Sequence, residues 1–171
     1  MRWAYLSLTA KGLVLCGKIK QCIDGDIITI TKRRNEETDK TFDSFGEMMA
    51  YAFANYDCLV CVMALGIVVR ALADLIRDKT KDPAVLVLDE NGAFCISLLS
   101  GHIGGANDSA RAVAEAIGAQ AVITTASDVS GKTAVDTLAA QWNCAIGDMH
   151  AAKDITAMIV NGQSIMVSAD R

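Results

Sequence analysis

The sequence predicts an α/β fold, in which a mainly parallel open sheet carries helices on both faces. Extended apolar runs alternate with helical runs along almost the whole chain, as in proteins built from β-α-β units. Residues 58–64 are apolar throughout, so helices should cover both faces of that strand. Asn91-Gly92 separates two extended runs and predicts one β-hairpin, with a type I′ turn, in the otherwise parallel sheet. A smaller α/β segment should follow this sheet.

The first elements follow from local signals. A strand at residues 3–8 leads to Thr9, which is a suitable N-cap for a helix over residues 10–22. A second strand is predicted at residues 26–31, and the polar segment 32–40 predicts a loop.

A capping box and a glycine mark the next two helices. Ser44 and Glu47 have the spacing of a capping box, and apolar residues then recur with helical period. After the strand at residues 58–64, Gly66 interrupts the chain. The apolar stripe that follows predicts a helix that ends near Lys79.

The hairpin and one amphipathic helix complete the predicted sheet. The hairpin strands are expected at residues 84–88 and 94–99. A glycine-rich segment at residues 100–107 leads into an amphipathic helix that ends at Gly118. A further strand is predicted at residues 121–125.

We expect a domain boundary after residue 126. Residues 1–126 are predicted to form an α/β N-terminal domain that carries the motifs at strand ends. Residues 127–171 are predicted to be a partial central region, too short for a domain of its own. Its pattern predicts a helix over residues 134–142, a strand near Cys144, a helix near residues 154–160 and a strand at residues 164–167.

Composition and charge exclude several function classes. The chain has 171 residues, of which 52% are hydrophobic, so a packed core is expected, and its net charge of −4 argues against a nucleic acid partner. The longest apolar stretch, residues 59–69, is too short to cross a bilayer, and residues 1–15 lack the layout of a signal peptide. We therefore expect a soluble cytoplasmic protein with no membrane partner.

The six cysteines are expected to be reduced thiols of the core. Their neighbours are apolar, and a free cysteine behaves as a small buried hydrophobic residue. Cys58 and Cys61 form a C-x-x-C pair, but in a strand they would face opposite sides of the sheet, and no second pair follows. We expect no metal site.

Three polar segments stand at predicted strand ends, where open α/β sheets bind their ligands. Gly66 begins a helix whose free N–H groups suit an anion, and Arg70 adds a guanidinium fork for a carboxylate. A surface ion pair between Arg70 and Asp74 is the alternative. Residues 78–82 are a run of charges, a pattern that is typical of a solvent-exposed loop.

The third segment, residues 100–107, is the most informative. Three glycines in five residues let the backbone approach a ligand closely and present N–H groups to an anion. His102 lies within this loop, and an imidazole can act as an acid, a base or a metal ligand near neutral pH. A histidine that is hydrogen-bonded within the turn is the alternative.

A further motif indicates a different function. Residues 126–133 match a relaxed P-loop that ends in Gly131-Lys132-Thr133, with Ala126 in place of the first glycine. The apolar strand that would supply an acid for magnesium, residues 85–90, precedes this motif, whereas in such nucleotide hydrolases it ordinarily follows. Nucleotide binding is therefore kept only as an alternative.

Four separated motifs occur in one order: Gly66-Ile-Val-Val-Arg70, Asp78-Lys-Thr-Lys-Asp-Pro-Ala-Val85, Leu98-Leu-Ser-Gly-His-Ile-Gly-Gly-Ala-Asn107 and Ile123-Thr-Thr-Ala-Ser-Asp128. In order and spacing they resemble the motifs of the CbiG-type cobalt-precorrin-5A hydrolases of anaerobic cobalamin biosynthesis. Ser127 replaces a threonine that is more usual in that family. Full-length members continue into a C-terminal domain to which nothing in this sequence corresponds.

The resemblance implies an enzyme that hydrolyses the δ-lactone of cobalt-precorrin-5A and releases acetaldehyde to give cobalt-precorrin-5B. The substrate is an anionic corrinoid that carries its own cobalt, so no cofactor is expected. His102 is then the candidate base, with Asp78 or Asp82 as second choice. The residues expected to bind the substrate are Gly66, Arg70, Lys79, Lys81, Ser100, Gly101, Gly104, Gly105, Asn107, Thr124 and Thr125.

Two alternatives to a complete hydrolase stay open. One is a corrinoid-binding fragment that does no chemistry without the family's C-terminal domain, which would then be its partner. The other is a P-loop-like nucleotide-binding protein that uses Gly131, Lys132 and Thr133.

Overall fold

The computed structural model describes residues 1–126, 135–142 and 144–166. The chain divides into two compact units, Met1–Val122 and Ile123–Arg171. The sequence signals place the division a few residues later, after residue 126.

The first unit is a sheet with four helices. Its strands are β1 Trp3–Ser7, β2 Asp26–Ile30, β3 Lys40–Phe42, β4 Cys58–Val62, β5 Ala84–Leu88, β6 Phe94–Leu99 and β7 Gln120–Val122. Its helices are α1 Ala10–Cys22, α2 Phe45–Asn55, α3 Leu65–Leu72 and α4 Ala106–Ile117. The strand order is β3-β2-β1-β4-β5-β6-β7, and β1 to β5 are parallel. This arrangement confirms the predicted α/β fold class.

Helices bury a separate core on each face of the sheet. Leu13 of α1 and Val113 of α4 are fully buried on one face, and Met48 of α2 and Leu72 of α3 are buried on the other. All five residues of β4, at the centre, are buried. Burying an aliphatic side chain of this size contributes about 1.5–3 kcal/mol, so the two cores hold the sheet rigid beneath its loops.

The direction of β6 decides where the loops lie. We call the edge at which β1 to β5 end the carboxyl edge, and the edge at which they begin the amino edge. β6 is antiparallel to β5, and its last residue, Leu99, pairs with Val85 near the start of β5. The glycine-rich segment after β6 therefore lies at the amino edge, beside the loop that enters β5. The loops after β1 and β4 lie at the carboxyl edge.

The β5–β6 connection is a hairpin, as predicted, but its turn is not type I′. That turn needs positive φ at both Asn91 and Gly92. Gly92 has a φ of 67°, but the φ of Asn91 is not positive. Among the residues that the structure describes, Ser100 is the one non-glycine residue with positive φ. The Asp89 carboxylate instead closes a longer turn, because it accepts three backbone N–H groups of the turn at 2.8–2.9 Å.

Helix α3 is shorter than its apolar stripe predicts, since it ends at Leu72 and not near Lys79. The Asp82 carboxylate accepts the N–H groups of Arg77 and Asp78, both at 3.0 Å. These two N–H groups would donate to the preceding turn if the helix continued. The Asp82 side chain therefore competes with the helix and turns the chain toward β5.

Two edge strands also differ from the prediction. The last residue of the expected loop at 32–40 begins β3, which has three residues and is too short to show an alternating pattern. The last strand ends at Val122, whereas the apolar run predicts a strand over residues 121–125. It pairs only with residues 94–96 of β6.

The described part of the second unit contains two helices, α5 Val135–Gln141 and α6 Met149–Val160. Helix α6 begins earlier than predicted because the Asp148 carboxylate caps it, accepting the N–H groups of His150 and Ala151. The P-loop-like segment from residue 127 onward, including Ser127, lies outside the described residues.

The strands predicted in the second unit are not found at Cys144 or at residues 164–166, which the structure describes. The Cys144 N–H donates to the Ala139 carbonyl at 2.8 Å, so this segment closes the end of α5. No helix in the described ranges is long and apolar enough to span a bilayer.

All six cysteines are free thiols, but only four of them are buried in the core. Cys58 and Cys61 belong to the cores on opposite faces of the sheet, as their spacing predicts. Burial raises the pKa of Cys58 to about 12, which makes its thiol unreactive. Cys22 and Cys144 are exposed, so the prediction that all six are buried is wrong. Cys22 ends α1 and Cys144 follows α5, where the chain leaves each helix.

A polar cluster joins three elements at the amino edge. Asp26 begins β2, Lys40 begins β3 and Tyr56 ends α2. Lys40 donates to the Asp26 carboxylate and to the Tyr56 hydroxyl, and Tyr56 donates to the same Asp26 oxygen. The hydrogen bonds from Lys40 and then from Tyr56 hold the pKa of Asp26 below its usual value. These side chains line a polar cavity of about 350 Å³.

This cluster predicts a contribution to stability that is lost in acid. Because the pKa of Asp26 is lowered in the folded state, its contribution is present above the unfolded value of about 3.9 and is lost as pH falls through the folded value. Asp26→Asn should therefore lower the free energy of unfolding at pH 7 and have a smaller effect at pH 3, as measured by urea denaturation. Asp24→Asn, in the same cavity, should leave this pH dependence unchanged. An equal loss at both pH values for Asp26→Asn would contradict the assignment.

Candidate functional site

Two loops meet at the amino edge of the sheet. The segment 78–82, which we call the cationic loop after Lys79 and Lys81 although Asp78 and Asp82 balance their charges, leads into β5. The glycine loop, residues 100–107, leads from β6 into α4. The Ser100 hydroxyl donates to the Asp82 carbonyl at 2.9 Å and joins the two loops. The structure thus brings together two of the three polar segments that the sequence singles out.

The cationic loop presents two lysines to solvent. Lys79 is exposed, and Lys81, whose side chain is 82% exposed, lies 3.6 Å from the Asp78 carboxylate. Asp78 accepts the N–H and the hydroxyl of Thr80 at 2.9 and 2.7 Å. These bonds, and then the charge of Lys81, hold the pKa of Asp78 below its usual value. A carboxylate stabilised in its charged form is a poor general base, so the geometry does not favour Asp78 in that role.

Asp82 holds the cationic loop in shape. The residue is 8% exposed, and one carboxylate oxygen accepts the N–H groups of Arg77 and Asp78. Protonation of that oxygen would weaken both hydrogen bonds. The geometry therefore makes Asp82 a support for the loop and not a base.

The glycine loop folds back onto the start of α4. The Ser100 carbonyl accepts the N–H of Ala106 at 3.1 Å, and the Gly101 carbonyl accepts the N–H of Asn107 at 3.0 Å. These bonds satisfy N–H groups that the helix leaves without partners. The loop itself caps α4, and less of the helix N-terminus is open to an anion than the sequence suggests.

His102 lies half-buried in the glycine loop. Its carbonyl accepts the N–H of Gly105 at 2.9 Å, so the Gly105 amide is not available to a ligand, contrary to the sequence-based expectation. The N–H groups of Gly101 and Gly104 donate to no other residue that the structure describes, and these two remain candidates for binding an oxyanion or a carboxylate.

Close packing requires glycine at two positions of this loop. A Cβ atom at Gly104 would lie 2.4 Å from the Ser100 Cβ and 2.9 Å from its carbonyl oxygen. A Cβ atom at Gly101 would lie 2.9 Å from Oδ1 of Asn107, which is 3% exposed and accepts the Ser97 hydroxyl at 2.7 Å. Asn107 therefore supports the loop from beneath.

Gly66 and Arg70 lie at the carboxyl edge, opposite the glycine loop, because α3 follows a parallel strand. The Arg70 guanidinium donates to the Gly66 carbonyl at 3.0 Å rather than to Asp74. A Cβ atom at Gly66 would lie 3.2 Å from Nη1 of Arg70, so glycine makes room for this contact. The structure therefore does not bring Arg70 beside His102, since β6 runs against β1 to β5.

A crevice that no sequence motif indicates lies at the carboxyl edge. It is bounded by the loops after β1 and β4, where the strand order changes direction and such sheets usually bind ligands, and also by residues of β5, β6 and β7. Its volume is about 590 Å³, its walls are mostly apolar, and the Thr9 hydroxyl donates to the Glu90 carboxylate at 2.6 Å. The rule that locates such a crevice needs the strand order, which the pattern of elements alone does not supply.

Thr124 and Thr125 follow β7 and belong to the second unit. Thr124 is exposed and Thr125 is half-buried. Their role in substrate binding stays a prediction.

The two loops at the amino edge offer an imidazole and two exposed ammonium groups. An imidazole can accept a proton from water, backbone N–H groups can stabilise an oxyanion, and the ammonium groups of Lys79 and Lys81 can bind carboxylates. The residues that the structure describes include no group of three or more His, Cys, Asp or Glu side chains that could hold a metal ion.

Comparison with known families assigns most of the chain. The family model for the cobalamin synthesis G N-terminal region matches residues 47–128, and the model for the cobalamin biosynthesis central region matches residues 133–171. The chain belongs to the CbiG family.

Two curated relatives of this CbiG-family chain are named cobalt-precorrin-5A hydrolase. The protein from Salmonella typhimurium is 41% identical over 163 residues, which cover 95% of this chain and 46% of the relative. The protein from Priestia megaterium is 34% identical over 173 residues, which cover 96% of this chain and 46% of the relative. The chain therefore spans about half the length of these relatives.

A solved structure supports the fold. The crystal structure of a cobalamin biosynthesis protein G homologue from Sulfolobus solfataricus matches with a TM-score of 0.56 and 22% identity. The match covers 99% of this chain and 51% of that one. At this identity the similarity concerns the fold alone.

The packing of Gly104 against Ser100 predicts that the loop does not tolerate a methyl group there. Gly104→Ala should lower the free energy of unfolding by about 1–3 kcal/mol, the usual cost of overpacking, as measured by urea denaturation. Gly46→Ala is the matched control, because no heavy atom lies within 4 Å of a Cβ atom there. It lies in the first turn of α2, so the substitution should stabilise the protein by up to about 1 kcal/mol. Equal stabilities of the two variants would show that the loop is not packed in this way.

Proposed function

We propose that this CbiG-family chain takes part in the hydrolysis of cobalt-precorrin-5A, opening its δ-lactone and releasing acetaldehyde to give cobalt-precorrin-5B. The observation that carries the proposal is the 41% identity to a cobalt-precorrin-5A hydrolase over nearly the whole chain. The substrate is an anionic corrinoid that brings its own cobalt, and the proposal includes no cofactor. The amino edge suits this reaction because it places His102 in a loop that contacts the cationic loop.

In the proposed mechanism, His102 accepts a proton from a water molecule that attacks the lactone carbonyl. The N–H groups of Gly101 and Gly104 donate to the oxyanion that forms. Collapse of this intermediate breaks the ring C–O bond, and the leaving alkoxide takes the proton from His102, which yields a carboxylic acid and an alcohol. The hydroxyl then loses its proton as the neighbouring C–C bond breaks, and acetaldehyde leaves. The electron pair of that bond stays with the corrinoid, which gains a proton, so the overall reaction consumes one water molecule.

The other predicted residues take supporting roles in this proposal. Lys79 and Lys81 bind acetate or propionate groups of the substrate, since both are exposed beside the glycine loop. Asp82 and Asn107 hold the two loops. Gly66 and Arg70, at the opposite edge, are left out of this site.

Corrinoid binding without turnover is a second candidate function. It applies if catalysis needs the part of each named hydrolase that lies outside the matched region, which is about half of the relative's length. The test compares this chain with a fusion to the remaining part of the Salmonella typhimurium relative. Acetaldehyde release from cobalt-precorrin-5A by the chain itself would identify a complete catalytic site. Release by the fusion only would identify a substrate-binding part.

The proposed base predicts a large loss of turnover in His102→Ala. In the form that is active, kcat for acetaldehyde release should fall about 10²- to 10⁴-fold, the usual contribution of general base catalysis. His150→Ala is the matched control, because His150 is exposed on α6 and has no part in the proposal; its kcat should match the wild-type value. Unchanged turnover in His102→Ala would exclude His102 as the base.

The separation of the two edges predicts which cations bind the substrate. The double variant Lys79→Ala/Lys81→Ala should raise KM about three- to tenfold, as expected for exposed charges, and added salt should reduce the difference. Arg70→Ala should leave KM unchanged, because Arg70 lies at the carboxyl edge. A higher KM in Arg70→Ala together with an unchanged KM in the double variant would place the substrate at the carboxyl edge instead.

A further inference from the structure

Ser100 connects the two loops of the amino edge in a way that the proposed reaction does not itself require. We propose that Ser100 is a positioning residue, which fixes the glycine loop and its His102 against the cationic loop. This inference rests on the proposed function of the same edge. From the sequence, Ser100 was expected to bind the substrate, and the inference gives it a supporting role instead.

The backbone of Ser100 is held in an unfavourable conformation. Its φ is 59°, and it is the one non-glycine residue with positive φ among those that the structure describes. The left-handed region is sterically disfavoured for residues with a Cβ atom. Such a conformation persists only where the surroundings fix it, and it is common at functional sites.

Three contacts fix Ser100 in place. Its hydroxyl donates to the Asp82 carbonyl at 2.9 Å, and its carbonyl accepts the N–H of Ala106 at 3.1 Å. Gly104 packs so closely on its Cβ that no side chain fits between them. The residue is thus tied to the cationic loop, to the start of α4 and to the glycine loop itself.

The partner of Ser100 is itself fixed. The Asp82 carboxylate accepts the N–H groups of Arg77 and Asp78, so the Asp82 carbonyl cannot move without breaking the turn before it. Lys81 directly precedes Asp82, and His102 lies two residues after Ser100. The Ser100–Asp82 hydrogen bond therefore links the loop that carries the proposed base to the loop that carries Lys81.

The identity of the residue supports this role. Glycine would adopt the same φ with less strain. A serine at this position keeps the strain and adds a hydroxyl, and the partner that the structure gives to that hydroxyl is the Asp82 carbonyl. The hydroxyl bond between the loops explains why a side chain is present.

The first test is Ser100→Gly, which removes the hydroxyl and at the same time relieves the backbone strain. The variant should keep a Tm close to that of the wild type, because the two effects oppose each other. Its kcat for acetaldehyde release should fall about ten- to a hundredfold, since small displacements of a catalytic group have effects of this size, and KM should rise less. A wild-type kcat would overturn the proposal.

Ser7→Ala is the matched control. The Ser7 hydroxyl also donates to a backbone carbonyl, that of Val62 at 3.2 Å, but at the carboxyl edge. This variant should lose stability and keep the wild-type kcat and KM. An equal loss of kcat in Ser7→Ala would mean that general stability, and not position, explains the Ser100 effect.

A double-mutant cycle tests whether Ser100 acts through His102. In a His102→Ala background, Ser100→Gly should have little further effect on kcat, because the group that it positions is already missing. Additive losses would show that Ser100 acts independently and would overturn the positioning role. Full activity of His102→Ala alone would instead refute the proposed base, so the two failures are distinguishable.

Hydrogen exchange tests the same link without substrate. In Ser100→Gly, backbone amides of the cationic loop, residues 78–82, should exchange faster than in the wild type, although the substitution lies in the other loop. Ser7→Ala should leave these amides unchanged. Unchanged exchange of residues 78–82 in Ser100→Gly would overturn the inference, whether or not the chain shows turnover.

Discussion

The antiparallel pairing of β6 with β5 is the constraint on which the candidate site depends. The Asp89 carboxylate closes the turn between these strands within five residues, which is too short for the crossover that a parallel strand would need. The chain therefore returns to the amino edge before the glycine loop begins. With a parallel β6, that loop would lie at the carboxyl edge, beside Gly66 and Arg70, and away from the cationic loop.

The loops at the amino edge are shaped by polar groups and not by a core of their own. Backbone groups outside helices and strands need partners when they are buried, and here side chains and loop carbonyls supply them. Asp82 binds the N–H groups that α3 gives up, Ser100 joins the loops, and Asn107 supports the glycine loop from beneath. The two cores on either face of the sheet hold the strands from which these loops start. A rigid scaffold with exposed loops is the usual arrangement for a binding or catalytic site.

Family membership bears on the substrate, and geometry bears on which residues lie close together. The CbiG family and its named relatives support the proposed substrate, while the structure shows where the residues of the sequence motifs lie. His102, Lys79 and Lys81 lie in the two loops that meet at one edge, whereas Gly66 and Arg70 lie at the other. The apolar crevice at the carboxyl edge, with its Thr9–Glu90 hydrogen bond, is a separate feature that no sequence motif indicated.

The sequence by itself determined the alternation of strands and helices, the hairpin and the N-caps at Thr9 and Ser44, and it singled out the glycine loop. These features depend on side-chain periodicity and on residues within about four positions of one another, so they can be read locally. Only the tertiary structure decided where α3 ends, which loops meet, and that Asp82 and Asn107 are supports. Which loops meet depends on the pairing of β6 with β5 and on the Ser100–Asp82 hydrogen bond, which join residues far apart in the sequence. The end of α3 depends on hydrogen bonds to Asp82 from only four and five residues away, but no regular sequence pattern marks them. The order and direction of the strands therefore settled which of the predicted residues lie at the same edge of the sheet.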